Sequence, residues 1–196
     1  MSKKPMPPRR PAPPRVGPRP PTSRAPWIEG SAVVVAANRV AKALAKHAVW
    51  KHALVGSSPS NQPVVVQRLD RKDDYYYIVE FANAGRLTAR MAMGGRDGKL
   101  LRCNAVSRAN SALRRFVTPP ELLRSREGKP FGIGAARERL VRTAAVGVHP
   151  VLVWKDCAQS RSPLLPFYVL TVGDSLSYLR VDGTFFHILR AASLGR

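Results

Sequence analysis

The sequence predicts an α+β fold in which two successive helix-plus-antiparallel-meander units follow a disordered, basic, proline-rich N-terminal arm. Three observations lead to this prediction. Ten of the 18 prolines lie within the first 26 residues. A segment with apolar residues at helical spacing comes next, and short β-branched and aromatic runs separated by glycine turns occupy much of both halves. The resulting boundaries are 1–30 for the arm, 31–116 for the first unit and 117–196 for the second.

The arm has almost no large apolar side chains between Pro5 and Pro26, and its prolines lack the backbone donor that helices and sheets need. We therefore expect it to be disordered and partly polyproline II. Two stretches match patterns that proline-recognition domains bind: Arg15-x-x-Pro18-x-x-Pro21 and Pro5-x-x-Pro8-x-Arg10. Because a segment this rich in proline produces such matches by chance, a solvated linker and a ligand for an aromatic groove both stay open.

The first unit opens with one predicted helix over residues 31–54, with Ser31 as its N-cap and Gly56 just beyond its end. Its apolar face contains Val33, Ala37, Val40, Ala41, Leu44 and Ala48. Its opposite face carries Arg39, Lys42 and Lys46. The pattern predicts an amphipathic helix whose solvent-facing side is basic.

Four strands are predicted after this helix, beyond a Ser/Pro loop at 56–62: 63–69, 75–81, 86–93 and 99–106. Since side chains alternate along a strand, Tyr75 and Tyr77 should share one face of the sheet and Tyr76 the other. At least one of these two sets should lie in the core. Stacking of nucleic-acid bases on the exposed set is the alternative.

The second unit begins with a predicted helix at 118–126, where Thr118 and Glu121 have the spacing of a capping box. Residues 132–148 fit either a strand or a short helix. Four further strands are predicted: 151–154, 166–172, 175–181 and 184–189. The last three are joined by Gly-Asp and Asp-Gly pairs, which are typical of tight hairpins.

Part of the first unit resembles PepSY-type repeats, which pair a helix with a small antiparallel sheet in a cystatin-like arrangement. The resemblance lies in the strands YYYIVEF and ARMAM and in the ending Gly94-Gly95-Arg96-Asp97-Gly98-Lys99-Leu100-Leu101. The later stretch FYVLTVGDSLSYLRVDGTFFHIL is similar to a more diverged copy, so the resemblance covers at most residues 31–106 and 150–190. It implies a non-catalytic inhibitory or binding module, although known PepSY domains are mostly extracytoplasmic and not basic.

The charge balance indicates an anionic partner. The chain holds 33 Lys and Arg against 12 Asp and Glu, a net charge of +21, of which the arm carries +6 and the body +15. An ordinary surface mixes both signs, so the excess on the body is more readily explained by a partner that neutralises it. Two cysteines are too few for a disulfide framework, and no apolar run has the length of a signal peptide or a transmembrane helix. We therefore expect a cytoplasmic location without membrane insertion.

No catalytic, cofactor or metal site is predicted. Residues 173–176 spell the GDSL signature of a serine esterase family, with Ser175 as the nucleophile. Hairpin strands flank this motif, however, and Asp182 and His187 lie five residues apart rather than three. We interpret the motif as a β-turn, with a hydrolase as the alternative. The four histidines and two cysteines have no metal-ligand spacing.

The sequence thus predicts a non-enzymatic binding or scaffold protein whose basic folded module engages an acidic protein surface or a larger assembly. The alternative is a protein that contacts the phosphates of RNA or DNA through the arm and the basic helix face, without sequence specificity. The residues expected to meet the partner are Arg39, Lys42, Lys46, Arg114 and Arg115 on the body and Arg9, Arg10, Arg15 and Arg19 on the arm.

Overall fold

A computed structural model describes residues 26–106, 116, 120–121, 146–172 and 175–191. Two helices in this part of the chain, α1 (Gly30–Leu44) and α2 (Ala48–Leu54), precede the strands. The first half contains β1 (Ser58–Pro59), β2 (Val64–Arg68), β3 (Tyr75–Asn83), β4 (Arg86–Gly94) and β5 (Leu100–Ala105). The second half contains β6 (Val146–Val148), β7 (Leu152–Trp154), β8 (Phe167–Val172), β9 (Ser175–Arg180) and β10 (Phe185–Phe186).

These ten strands form one sheet in the order β10-β9-β8-β7-β2-β3-β4-β5, with β1 beside β3 and β6 beside β8. Every described strand pair is antiparallel except β2 with β7, where Val66 lies opposite Leu152. This parallel pair joins the two halves, because it is the only described pairing between a strand of the first half and one of the second. The predicted α+β class with a mainly antiparallel sheet is confirmed.

Each half places two short strands side by side along one long strand. In the first half, β3 pairs with β2 near Tyr75 and with β1 near Phe81. In the second half, β8 pairs with β7 at Phe167 and with β6 over 170–172. The long strand then turns back into the next antiparallel strand, β4 or β9.

The sheet buries apolar side chains on both faces. On one face, which we call the helix-side face, α1 and α2 cover a core that contains Val33, Ala37, Leu54, Val79, Phe81, Met91 and Met93. On the other face, strands of both halves meet a loop of the second half in a core that contains Val66, Tyr76, Ile78, Ala92, Leu152, Leu164 and Leu165. Strand β3 contributes to both cores because its successive side chains point to opposite faces.

The prediction of one continuous helix over 31–54 is wrong, because the helix breaks at residues 45–47. His47 has extended backbone angles (φ −90°, ψ 135°) and begins α2, whose first amide bonds come from Trp50 and Lys51 to the His47 carbonyl. The break turns the chain so that Ala53 and Leu54 reach the core under α1. A straight helix would diverge from the twisted sheet at this point.

Two local expectations for these helices also change, and a third is confirmed. The residue at the N-cap is Glu29, with no side-chain cap hydrogen bond, and Ser31 lies inside the helix. Ala48 is exposed rather than buried, because it lies at the start of the redirected α2. The helical end at Leu54 followed by Gly56 is confirmed, and Gly56 has the positive φ of 71° that favours glycine after a helix.

The strands agree closely with the sequence pattern, with two corrections. The loop expected at 56–62 contains β1, which pairs with the end of β3. The strand expected at 184–189 is reduced to the two residues of β10: Thr184 belongs to the Asp-Gly turn before it, and 187–189 do not continue the strand. Of the segments 118–126 and 132–148, the structure describes only the helical residues Pro120 and Glu121 and strand β6. The remainder of both segments lies outside the described residues.

Candidate partner-binding surface

The two helices and the loop after them form a stretch of the chain that contains no carboxylate. Residues 30–69 include no Asp or Glu. Within this stretch the predicted side chains Arg39, Lys42 and Lys46 are all exposed. Arg39 and Lys42 lie on α1 as the helical spacing indicated, whereas Lys46 lies in the break between the two helices, which corrects its expected place on a helix face. Lys51 of α2 is exposed as well. We call these four side chains the basic helical layer. Sequence reasoning missed Lys51, although the absence of acidic residues around it could have revealed it.

The four cations of the basic helical layer have no carboxylate within 4 Å among the described residues. The described carboxylates that form ion pairs do so elsewhere. They are Asp70 and Asp74 with Arg68, Glu80 with Arg90, Asp97 with Lys99, and Asp182 with Arg180. The acidic residues therefore neutralise cations on the strands and turns and leave the positive field of the helices uncompensated.

The paired carboxylates are held in their charged form. The hydrogen bond from the Arg68 guanidinium lowers the pKa of Asp70. At Asp182, burial favours the neutral acid, but hydrogen bonds from Arg180 and Thr184 outweigh it and lower the pKa. These carboxylates remain ionised at neutral pH and remain committed to their internal partners.

Exposed valines accompany the basic side chains of the helices. Val35 is 61% exposed and Val49 is 73% exposed. Val35 precedes Arg39 by four residues on α1, so the two side chains are neighbours on the same helical face. The surface thus mixes aliphatic and cationic groups, while the aromatic Trp50 beside it is half-buried against the core.

The three consecutive tyrosines follow the predicted alternation and occupy structural positions. Tyr76 is buried, and its hydroxyl donates to the Pro163 carbonyl at 2.5 Å. Burial raises the pKa of Tyr76 well above its ordinary value. Tyr77 lies on the helix-side face and donates to the Ile28 carbonyl at 3.0 Å. Tyr75 makes an edge-to-face contact with Trp27.

The remaining predicted partner-binding residues lie outside the described part of the chain. These are Arg114 and Arg115 of the body and Arg9, Arg10, Arg15 and Arg19 of the arm.

Ser175 is the first residue of β9 and lies opposite Val172 of β8 in the hairpin register. Residues 173 and 174, where the β-turn of the GDSL motif is expected, lie outside the described residues. The described residues hold no group of three or more His, Cys, Asp or Glu arranged to bind a metal ion. No helix in the described ranges is long and apolar enough to cross a membrane.

Comparison with models of known families, with curated proteins and with solved structures finds no match to this chain. The surface described above is therefore the basis for assigning a class of function.

Proposed function

We propose that this is a non-enzymatic binding or scaffold protein whose basic helical layer engages an acidic surface of a partner protein or a larger assembly. One observation carries the proposal: four exposed cations lie on two adjoining helices and in the turn between them, within 40 residues that contain no carboxylate, and none of the four belongs to a described ion pair. Isolated surface cations are ordinary, but a face that excludes the opposite sign is not.

The exposed valines favour a protein partner over a nucleic acid. Protein interfaces combine apolar contact with charge complementarity, and Val35, beside Arg39 on α1, and Val49 on α2 supply exposed aliphatic area. Single-stranded nucleic acids are usually bound with aromatic stacking platforms, whereas Tyr75, among the described tyrosines, already contacts Trp27.

Nucleic-acid binding is the second candidate, supported by the charge of the arm. Residues 1–25 contain seven Lys and Arg and no Asp or Glu, so the arm could bind phosphates in addition to those bound by the basic helical layer. Such binding would depend steeply on salt and would not distinguish base sequences.

A charge-reversal triplet tests the two candidates. The variant Arg39→Glu, Lys42→Glu, Lys46→Glu is compared with the matched triplet Arg86→Glu, Arg102→Glu, Arg161→Glu, whose exposed cations lie outside the helices. The probes are a synthetic acidic amphipathic peptide of Glu and Leu, duplex DNA and single-stranded RNA, each titrated over several salt concentrations.

The proposal expects the helical triplet to weaken peptide binding by about tenfold or more, and the matched triplet to weaken it much less. If nucleic acid is the partner, the helical triplet instead lowers the slope of log K against log salt by roughly 0.9 for each phosphate that the variant no longer neutralises. Equal losses of affinity in both triplets, or no binding of the peptide at low salt, would contradict the proposal.

We also infer that the two halves are copies of one unit, in line with the PepSY-like resemblance. Both halves place two short strands along one long strand, and both follow the next strand with an Asp-Gly turn. The Asp97 carboxylate accepts from the Lys99 amide at 3.1 Å, and Asp182 accepts from the Thr184 amide at the same distance. The glycines between these residues both have positive φ.

The free cysteines Cys103 and Cys157 support our proposal of a cytoplasmic location.

A further inference from the structure

The helix-side face of the sheet is covered by α1 and α2 in the first half. In the second half its part at Val153 and Phe167 is buried in a cluster with Cys157, and only the part beyond this cluster is open. Its covered part lies under α1 and α2 at β3 and β4. The same face continues into the second half through Gln67 of β2, which lies beside Val153 of β7. It then reaches β8 and β9, where Val169 lies opposite Tyr178 and Thr171 lies opposite Leu176. Leu176 at the far end is 57% exposed.

Two adjoining concavities occupy this open part. One of about 460 Å³ is lined by β2, β6, β8 and β9, including Gln67, Val169 and Tyr178. The other, of about 340 Å³, shares Leu69, Leu176 and Tyr178 with it and is completed by Lys155 and 187–189. We call the two together the open groove. Its large apolar borders include Leu69, 42% exposed, and Ile188, 64% exposed.

The N-terminal arm joins the folded body beside this groove. Trp27 packs edge-to-face on Tyr75 with ring centroids 5.0 Å apart, and the Ile28 amide donates to the Gly95 carbonyl at 2.9 Å. These contacts fix the base of the arm on the helix-side face. Tyr75 lies directly opposite Gln67, which lines the groove. The arm therefore starts one strand away from the apolar surface that the helices leave open.

We propose that the proline-rich segment 11–21 of the arm docks in the open groove of its own chain. This segment holds six prolines and the first of the proline-ligand matches. In polyproline II, residues three apart share one edge, so Pro11, Pro14 and Pro20 form an apolar row. Arg15 and Arg19 lie on the other two edges. Apolar grooves with an aromatic wall, here Tyr178, are the usual receptors for such a helix.

The length of the arm fits this arrangement. Adjacent strands lie about 4.8 Å apart, so the four steps from β3 to β9 span roughly 19 Å. Residues 22–26 in polyproline II reach about 15 Å at 3.1 Å per residue, which brings the preceding segment onto β7 and β8. The docked arm would keep its arginines available, so this proposal is independent of the basic helical layer and extends beyond the proposed function.

The test is photo-cross-linking in the full-length chain. A benzophenone amino acid replaces Val16, in the middle of the segment, and the irradiated protein is digested with trypsin. Docking predicts intramolecular cross-links to the tryptic peptides 143–155 and 162–180, which contain β6–β7 and β8–β9. The same amino acid in place of Val49, exposed on α2, should not label these peptides.

The groove variant Leu176→Ser provides the second comparison. Since Leu176 is mostly exposed, the substitution should leave the melting temperature unchanged while it weakens apolar packing against the arm. The cross-link yield should fall about fivefold or more. The proposal is overturned if the yield does not change in this variant, if the cross-links reach only other parts of the molecule, or if they join two chains. The last result would identify a second copy as the occupant.

Discussion

Removal of the Glu80 carboxylate tests how the buried charge of the sheet is stabilised. Arg90 on β4 lies opposite Glu80 on β3, and its Nε and Nη2 atoms lie 2.8 and 2.6 Å from Glu80 Oε1. The Arg90 side chain is 2% exposed, and its guanidinium lies 3.9 Å from the centre of the Phe116 ring. Within the described residues its Nη1 atom has no hydrogen-bond partner. Burial lowers the pKa of Arg90, and Glu80 opposes this effect.

The expected loss follows from this geometry. Breaking a fully buried ion pair by deleting one partner costs about 3–5 kcal/mol, because the other charge stays buried without compensation. The Glu80 side chain is 37% exposed, so water can approach the remaining guanidinium, and we reduce the figure for Glu80→Ala to about 2 kcal/mol. For a domain of this size that corresponds to a fall in melting temperature of roughly 4–8 °C.

Urea unfolding of four proteins measures the effect: the parent chain, Glu80→Ala, Arg90→Met, and the double variant. Replacing both partners should restore most of the stability lost in Glu80→Ala, because the uncompensated buried charge is gone. Lys99→Ala is the control, since it breaks an ion pair whose lysine side chain is 80% exposed and should change stability by less than about 0.5 kcal/mol. The reasoning is refuted if Glu80→Ala loses no more stability than this control, or if the double variant is the least stable of the four.

Two further predictions concern stability. Gly95→Ala should lower the unfolding free energy by roughly 1–3 kcal/mol, since the added Cβ would lie 2.6 Å from the Trp27 ring and the Tyr75 carbonyl. Gly147→Ala is the control, because its added Cβ would meet its nearest atom at 3.5 Å. Equal losses of stability for the two variants in urea unfolding would contradict the packing argument. Asp182→Asn should destabilise the protein by about 1–2 kcal/mol at neutral pH. The Asp182 contribution is present above the ordinary pKa of 3.8 and is lost as the pH falls through the lower folded pKa. The unfolding free energies of the parent chain and of Asp182→Asn, measured in urea at decreasing pH, should therefore converge. A difference between them that stays constant with pH would exclude the carboxylate as the cause.

Local sequence signals predicted most of the strands and the chemistry of the helical surface. Strands β3 and β4 follow from alternation and from the positive-φ Gly85 between them, since both signals act between neighbouring residues. Arg39 and Lys42 are exposed as expected, because the helical period separates them from Val33 and Ala37, whereas Lys46 is exposed in the turn after α1. Lys51 was not predicted, because on one straight helix its side chain points away from the face that carries Arg39 and Lys42.

Features that depend on distant segments could not be predicted in this way. No proline or glycine marks the helix break at 45–47, which is set by the packing of Leu54 against the sheet. The two-residue strand β1 exists only because the end of β3 offers it a partner. The alternation of β4 indicates only that Arg90 is a polar residue on a strand, and the tertiary fold shows it buried beneath Phe116.

By itself, the sequence determined most of the elements and their charge: the proline-rich arm, a basic helical segment, and the strands with their Asp-Gly turns. These follow from backbone preference and local periodicity, which act over a few residues. The tertiary structure alone decided that β2 and β7 join both halves into one sheet, that the helices cover only part of one face, and that Trp27, at the base of the arm, packs on Tyr75 one strand away from the open part. The physical reason is that these contacts join segments far apart in the chain, whose pairing depends on complementary surfaces that only the folded protein brings together.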